Sequence, residues 1–138
     1  MIVLDTNVIS ELFRPVPAPK VVDWLGTLPG EDIFTTAVTR GGLLYGLYCM
    51  PEGRRRTDLL RELILLFDQR LVGHVLDYDG PAADAQARFS AMRRAQGRPV
   101  ALADAMIAGI AYSRGAALAT RNVRDFEGCG VALIDPWH

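Results

Sequence analysis

The sequence predicts an α/β fold, an open parallel sheet with helices on both faces. Short apolar runs of strand length alternate along the chain with longer segments in which apolar residues recur every three or four positions. The first run, residues 1–4, is continuously apolar, as expected of a strand that is buried on both faces of a parallel sheet. Strands that alternate with helices in this way are typical of parallel sheets with helical crossovers.

Length and composition predict one domain spanning residues 1–138. A chain of 138 residues, 50% of them hydrophobic, can bury a sizeable core, and no run approaches the roughly 18 apolar residues of a membrane-spanning helix. The formal net charge of −1 gives no global basic field for nucleic acid, although it is compatible with a local basic patch. The apolar run at the start of the sequence ends after four residues, at Asp5, and is too short for the apolar segment of a signal peptide. We therefore expect a cytoplasmic protein.

The first two helices and the second strand follow from capping and proline signals. After the first strand, Thr6 or Asn7 can cap a helix that starts with "VISELF". "RPVPAPK" contains three prolines and is predicted to be a loop, and Pro19 suits the first turn of the helix "KVVDWLGTL". The second strand is "DIFTT". These signals order the elements as strand, helix, helix, strand.

The next helix, which starts within "TAVTRGGLLYG" and runs to about Met50, contains two adjacent glycines. Leucines at positions 43, 44 and 47 have the spacing of a buried helical face. Each of Gly41 and Gly42 should nevertheless destabilise such a helix by about 0.8–1 kcal/mol relative to alanine. The pattern predicts a helix, but its apolar spacing does not explain the two glycines.

The rest of the chain repeats the alternation. "PEGRRR" is a turn that opens the periodic helix "TDLLRELILLFDQ", and "LVGHVLDYD" is predicted to contain a β segment. A helix from Pro81 to about Gln96 and the small-residue helix "ALADAMIAGIAYSRG" are separated by "GRPV". "AALAT" and "VALIDP" complete a sheet of about five short strands.

Polar side chains collect at the predicted carboxyl ends of the strands, where open α/β sheets bind ligands. Asp5 and Asn7 follow the first strand, Asn122 and Asp125 follow "AALAT", and Asp104 lies near the start of the small-residue helix. An unpaired carboxylate among the apolar neighbours of Asp104 would be costly unless it faced a cleft or a cation. Carboxylates gathered from distant segments are what Mg²⁺ or Mn²⁺ requires.

Each of these residues also has an ordinary structural explanation. Asp5 can serve as a strand-end or capping carboxylate, and Asp104 as the cap or first-turn acid of its helix. Asn122 and Asp125 are common turn residues. The arginines at 54–56 and at 93, 94 and 98 are typical of solvated faces.

Four motifs occur in order along the chain, "MIVLDTNVISEL", "TTAVTRGGLLYGL", "ALADAMIAGIA" and "ALATRNVRDF", and "VALIDPW" follows near the end. Together they resemble the VapC-type toxins of the PIN-domain ribonuclease family, and "VALIDPW" resembles in particular the tail of its FitB-like branch. The resemblance implies a PIN fold and the toxin component of a type II toxin–antitoxin system: a Mg²⁺- or Mn²⁺-dependent endoribonuclease of the bacterial cytoplasm. It further implies a VapB-like antitoxin as partner, an RNA substrate and a homodimer.

The resemblance also assigns roles to particular residues. Asp5 and Asp104 match the first and third metal-binding acids, and Asn122 and Asp125 match the polar cluster that completes the catalytic site. The supporting hydroxyl and amide groups match Thr6, Asn7 and Thr120. As phosphate-contacting residues near the cleft mouth we expect Arg98 and Arg121.

The second family acid is absent from this sequence. The family has a glutamate in a pattern like "TAVTxAEL", and the matching stretch "TAVTRGGL" has Gly42 at that position. Two alternative hypotheses therefore remain. The chain is either a weakened or inactive ribonuclease, or a PIN-like binding module that binds its antitoxin without cutting RNA. A haloacid-dehalogenase-like phosphatase is disfavoured, because that chemistry needs an aspartate two residues after the first and position 7 is asparagine.

Overall fold

A five-stranded parallel sheet forms the centre of the protein in the computed structural model, which describes all 138 residues. The spatial order is β3-β2-β1-β4-β5, so the first strand lies in the middle. This confirms the predicted α/β class with a parallel sheet. The strands are β1 (Ile2–Leu4), β2 (Ile33–Thr36), β3 (Val75–Leu76), β4 (Ala117–Ala119) and β5 (Leu133–Ile134).

Six α-helices connect and cover these strands. Helix α4 continues directly into a π-helical turn, Leu66–Arg70, and two short 3₁₀ turns, Gly30–Asp32 and Val123–Phe126, lie before β2 and after β4. None of these helices combines the length and the continuous apolar character that a membrane-spanning segment requires. The helices are α1 (Thr6–Leu12), α2 (Pro19–Gly26), α3 (Ala37–Tyr48), α4 (Arg54–Leu65), α5 (Gly80–Ala95) and α6 (Leu102–Ser113).

The core consists of two hydrophobic clusters, one on each face of the sheet. Val3 and Leu118 belong to the cluster under α5 and α6, whereas their neighbours Leu4 and Ala119 belong to the cluster under α1, α2 and the π-helical turn. Because successive residues of a strand point to opposite faces, this division places helices on both faces. The predicted layering is therefore confirmed.

The segment "LVGHVLDYD" contributes less strand than its pattern predicts. Only Val75–Leu76 pair with β2, because the residues before them form a turn. Gly73 has φ +74, and the backbone N–H of His74 donates to the carbonyl of Leu71 at 2.8 Å. A turn of this kind needs the left-handed conformation that glycine adopts readily.

Helix α3 forms across its two glycines as predicted. Leu43, Leu44 and Leu47 pack against the cluster under α1 and α2. Gly41 and Gly42 are both exposed, and a Cβ atom added at either would meet nothing within 4 Å. Neither glycine is therefore required by a close approach of another part of the chain.

Candidate active site

Asp5 lies at the carboxyl end of the central strand and is tied down through both carboxylate oxygens. One oxygen accepts a hydrogen bond from the backbone N–H of Thr6 at 2.7 Å, and the other accepts from the hydroxyl of Thr120 at 2.8 Å. Asp5 is thus the N-cap of α1, so the expectation that Thr6 or Asn7 caps this helix is wrong. Asp5 is the last extended residue before the helix, so its own carboxylate reaches the first free N–H group.

Asp5 is only 3% exposed, and this burial is the main influence on the pKa of its carboxyl group. Desolvation raises the pKa of Asp5 above its ordinary value, and the nearby charge of Asp125 raises it further. The hydrogen bonds from Thr120 and Thr6 act in the opposite direction but do not cancel the effect of burial. Asp5 is therefore a carboxylate whose negative charge is incompletely compensated by the protein.

Asp104 projects from the first turn of α6 and is half-buried. The cap position of that helix is Ala101, so Asp104 does not serve as a cap. Desolvation raises the pKa of Asp104 to about 6, with further contributions from the charges of Asp5 and Asp125. The structure thus brings Asp5 and Asp104, predicted to share a site, within electrostatic range of each other.

Asp125 comes from the 3₁₀ turn after β4 and is exposed. Its charge helps to raise the pKa of both Asp5 and Asp104, so aspartates from three separate segments lie within electrostatic range at this edge of the sheet. Asn122 occupies the cap position of the same turn, but its side chain is exposed and does not cap it. The turn is fixed to the core by Phe126, which is fully buried.

Thr120 is the centre of a small polar network beside Asp5. Its hydroxyl donates to Asp5 and accepts from the backbone N–H of Asn122 at 3.0 Å. The Asn7 side chain reaches the same hydroxyl at 3.5 Å, and its carbonyl oxygen accepts from the backbone N–H of Arg121 at 3.3 Å. Thr120 and Asn7 therefore connect the ends of the two central strands.

Thr6 contacts a residue that sequence reasoning missed. Its hydroxyl lies 3.2 Å from that of Thr39, which is fully buried in the first turn of α3. The hydroxyl of Thr36 caps α3 by accepting from the backbone N–H of Thr39 at 3.0 Å. A threonine followed by another three residues later, just before an apolar helix, resembles a capping signal and could have identified this pair.

Gly42 lies one helical turn after Thr39, on the neighbouring part of the same face of α3. It borders a groove of about 490 Å³ between α1, α3 and α4, together with Ser10, which lies one turn after Thr6. Because nothing lies within 4 Å of a Cβ built at Gly42, a longer side chain has room there.

The two arginines predicted to contact phosphate are both engaged with other side chains. Arg98 donates to the carboxylate of Glu127 at 2.9 Å, with both groups about half exposed. The guanidinium of Arg121 lies 5.0 Å from the ring centre of Trp137. Both pairs are at the surface, where such contacts are weak and exchange readily with solvent or ligand.

Two further buried charged residues were not predicted. Glu11 accepts from the backbone N–H of Ala18 at 2.9 Å and from Arg14 at 3.3 Å, and the first of these bonds lowers the pKa of Glu11. Arg93 is 4% exposed, so its assignment to a solvated face is wrong. Arg93 is buried because backbone carbonyls, which leave no signature in the sequence, accept its hydrogen bonds.

The residues fit a divalent cation in chemical type. Oxygen ligands are those that Mg²⁺ and Mn²⁺ prefer, and Mg²⁺ is commonly held by one or two carboxylates with several waters. Asp5 and Asp104 supply two such carboxylates, whose charges repel each other. No group of three or more His, Cys, Asp or Glu side chains is arranged to hold a metal ion. The set present is thus a pair of acids with Asp125 nearby.

Comparison with known proteins identifies the family. The PIN domain family matches residues 2–128. The chain therefore belongs to the PIN-domain family, in agreement with its parallel sheet and with the acidic residues at the carboxyl edge of that sheet.

Relatives within this family cover almost the whole chain. The chain is 38% identical to the VapC ribonuclease Y4jK of Sinorhizobium fredii over 99% of its length and 98% of the relative's. It is 36% identical to Toxin FitB of Neisseria gonorrhoeae over 100% of its length and 99% of that protein. A solved structure described as FitAB bound to an IR36 DNA fragment superposes with a TM-score of 0.93 at 34% identity, covering 100% of this chain and 96% of the other.

Proposed function

We propose that this protein is the toxin of a type II toxin–antitoxin system, a divalent-metal-dependent endoribonuclease that is weakened by the glycine at position 42. The observation that carries the proposal is that Asp5, Asp104 and Asp125, from three separate segments, lie close enough together for the charges of Asp5 and Asp125 to add to the burial that raises the pKa of Asp104 to about 6. Proteins rarely gather uncompensated carboxylates unless a cation or catalysis requires them. Similarity to proteins named as a ribonuclease and a toxin supports the same conclusion.

Asp5 and Asp104 would hold the Mg²⁺ or Mn²⁺ ion. When bound, such an ion neutralises charge on phosphoryl oxygens and lowers the pKa of water. Thr120 and the backbone of Thr6 orient the Asp5 carboxylate, since each occupies one of its oxygens. Asn122 and Asp125 would orient the attacking water from the exposed side of the site.

Arg98 and Arg121 would contact the phosphates of the RNA strand that flank the scissile bond. Each can leave its present surface partner, Glu127 or Trp137, at little cost. Such contacts set the position of the strand but carry no base specificity.

Gly42 accounts for the weakened activity. A glutamate there would supply a third carboxylate from the α1-facing side of α3, and its loss leaves a site less negative than that of the family. Loss of a partner of this kind commonly lowers metal affinity or activity about 10–100-fold. The fold does not need the missing side chain, because position 42 is exposed.

The second candidate function, a PIN-like module that binds an antitoxin without cutting RNA, rests on the same glycine and on the groove beside it. Leu43, Leu47, Leu59 and Leu63 line this groove, and arginines 14 and 55 border it. An amphipathic antitoxin helix with acidic edges would fit such a surface. In either case we expect a cytoplasmic homodimer, alone or in the toxin–antitoxin assembly.

RNA cleavage separates these functions. Purified protein is incubated with a mixed single-stranded RNA pool and Mg²⁺ or Mn²⁺, beside the Asp104→Asn variant and beside a phosphomonoester substrate. We expect slow, metal-dependent cleavage of RNA that Asp104→Asn abolishes, with no release of phosphate from the monoester. Cleavage that persists in Asp104→Asn would contradict the proposed site, and hydrolysis of the monoester would favour a phosphatase.

Antitoxin binding is tested independently by co-expression with the product of the adjacent gene. We expect the two proteins to co-purify. If they co-purify and cleavage is absent with every metal tried, the binding module is the correct function. If two folded proteins fail to associate, the partner is wrong.

A further inference from the structure

Arg93 is buried in an unusual way, and the mechanism described above does not use it. Its Nε donates to the carbonyl of Arg98 at 2.8 Å. Its Nη1 donates to the carbonyls of Asp125 at 3.0 Å and Glu127 at 3.2 Å, with that of Arg124 at 3.5 Å. One side chain of α5 therefore binds two separate segments at once.

Both segments carry aspartates of the candidate site. The loop that contains Arg98 leads into α6 and Asp104, and the turn that contains Arg124 to Glu127 includes Asp125 itself. An ion pair between Arg98 and Glu127 joins the same two segments at the surface. No other side chain forms hydrogen bonds to both segments from outside them.

The hydrogen bonds to these carbonyls offset the cost of placing a charged group here. A buried guanidinium is costly to desolvate, and that of Arg93 lies 5.7 Å from the ring centre of Phe89, but an apolar side chain in its place would leave the carbonyls without this donor. The guanidinium, unlike an apolar group, offers a rigid fork of N–H donors in fixed directions. Such a fork can fix the separation of two backbone segments.

From this geometry we propose that Arg93 is a positioning residue, which sets the placement of Asp125 relative to Asp104 and so the affinity of the site for its divalent cation. This inference rests on the proposed metal-dependent function. Arg93 touches neither metal nor substrate and acts only through the backbone carbonyls of the two acid-bearing segments.

The test compares Arg93→Lys and Arg93→Met with Arg94→Met, a matched control in which the adjacent, exposed arginine of α5 is removed. Lysine keeps the charge but lacks the fork, and methionine removes both. Mn²⁺ affinity is measured by calorimetry with the metal alone, and exchange of the Asp125 and Glu127 amides is followed by NMR. Thermal unfolding shows that each variant is folded.

We expect both Arg93 variants to bind Mn²⁺ about 10–100-fold more weakly and to exchange the two amides at least about tenfold faster, as is usual when a group that supports a metal ligand is lost. Arg94→Met should change neither quantity by more than about twofold, since its side chain makes no comparable contact. Folded Arg93 variants with Mn²⁺ affinity within about twofold of the unaltered protein would overturn the positioning role. An unaltered protein that binds no Mn²⁺ would overturn the proposed function and this inference together.

If neither Arg93 variant folds, the unaltered protein decides the matter. Binding of Mg²⁺ should tighten both acid-bearing segments, so the Arg93 Nε–H should exchange with solvent more slowly in its presence. An exchange rate that does not change on saturation with Mg²⁺ would overturn the inference.

Discussion

At the scale of single residues, the candidate site is built from carboxylates that the protein keeps partly desolvated. Asp5 is nearly inaccessible yet bonded through both oxygens, whereas Asp104 has a raised pKa of about 6 and no hydrogen bond that offsets it. The two residues therefore respond differently to substitution. The carboxylate of Asp5 is stabilised by two hydrogen-bond donors, whereas the charged form of Asp104 is disfavoured by burial and by neighbouring negative charges.

Replacing Asp104 by asparagine should stabilise the metal-free protein at neutral pH but not in acid. The pKa of Asp104 is higher in the folded chain than its ordinary 3.8, so the folded state holds more protons and stability falls as the pH rises from about 4 through 6. Because the group is half exposed, we expect a gain of only about 1–2 kcal/mol for Asp104→Asn at pH 7.5 relative to pH 4. Urea unfolding of the variant and the unaltered protein in the presence of EDTA, at both pH values, measures this difference in the free energy of unfolding. A difference that does not vary with pH would contradict the raised pKa.

Replacing Thr120 by valine should destabilise the protein, which is the opposite of the effect expected for Asp104→Asn at neutral pH. The substitution keeps the shape of the side chain but removes the hydroxyl that donates to Asp5. Because the buried carboxylate of Asp5 loses one donor, the free energy of unfolding should fall by about 1–3 kcal/mol at pH 7.5. Thr120→Ser retains the donor and is the control. Equal losses in the two variants would show that packing, rather than the hydrogen bond, is responsible.

At the scale of elements, α3 and α6 use glycine for different reasons. Gly41 is exposed, and no atom lies within 4 Å of the place that a Cβ would take, whereas Gly109 of α6 lies against α5 so closely that a Cβ would clash with the carbonyl oxygen of Ala82. The first glycine weakens its helix without compensation. The second permits the close packing of α5 against α6.

Substitution by alanine should therefore stabilise one helix and destabilise the other. Gly41→Ala should raise the free energy of unfolding by up to about 1 kcal/mol through helix propensity. Gly109→Ala should lower it by about 1–3 kcal/mol, because a backbone carbonyl must move to accommodate the methyl group. Thermal and urea unfolding of the two variants provide the comparison. A loss of stability in Gly41→Ala would mean that α3 contacts something at this position in solution.

At the same scale, the existence of the helices and strands is easier to predict from the sequence than their end points and capping residues. Apolar periodicity and prolines fix the helices and strands, since burial dominates their stability. The cap of α1 is hard to assign because Asp5, Thr6 and Asn7 are all capping residue types, and only the backbone conformation selects among them. The length of β3 is overestimated because the left-handed Gly73 interrupts an otherwise strand-like run.

At the scale of the whole molecule, the strand-end rule explains why residues far apart in the sequence meet. Asp5 and Asp125 follow the neighbouring parallel strands β1 and β4, so the topology alone brings them to one edge. Burial of Arg93 could not be predicted, because the carbonyls that accept from its Nη1 lie 31 to 34 residues away along the chain. The consequence of Gly42 depends in turn on the family pattern, since the fold tolerates the glycine without any visible adjustment.

The most direct test of the central claim, that this PIN-domain site lacks one carboxylate, is metal binding by Gly42→Glu. Mn²⁺ affinity is measured by calorimetry for the unaltered protein, for Gly42→Glu and for Gly42→Gln, which matches the glutamate in size without its charge. We predict that, of the three proteins, Gly42→Glu binds Mn²⁺ about 10–100-fold more tightly than the unaltered protein and cleaves RNA faster in the presence of the metal at equal protein concentration, whereas Gly42→Gln does neither. Equal affinity and equal cleavage in all three proteins would contradict the claim, because position 42 would then not be the place of the absent acid.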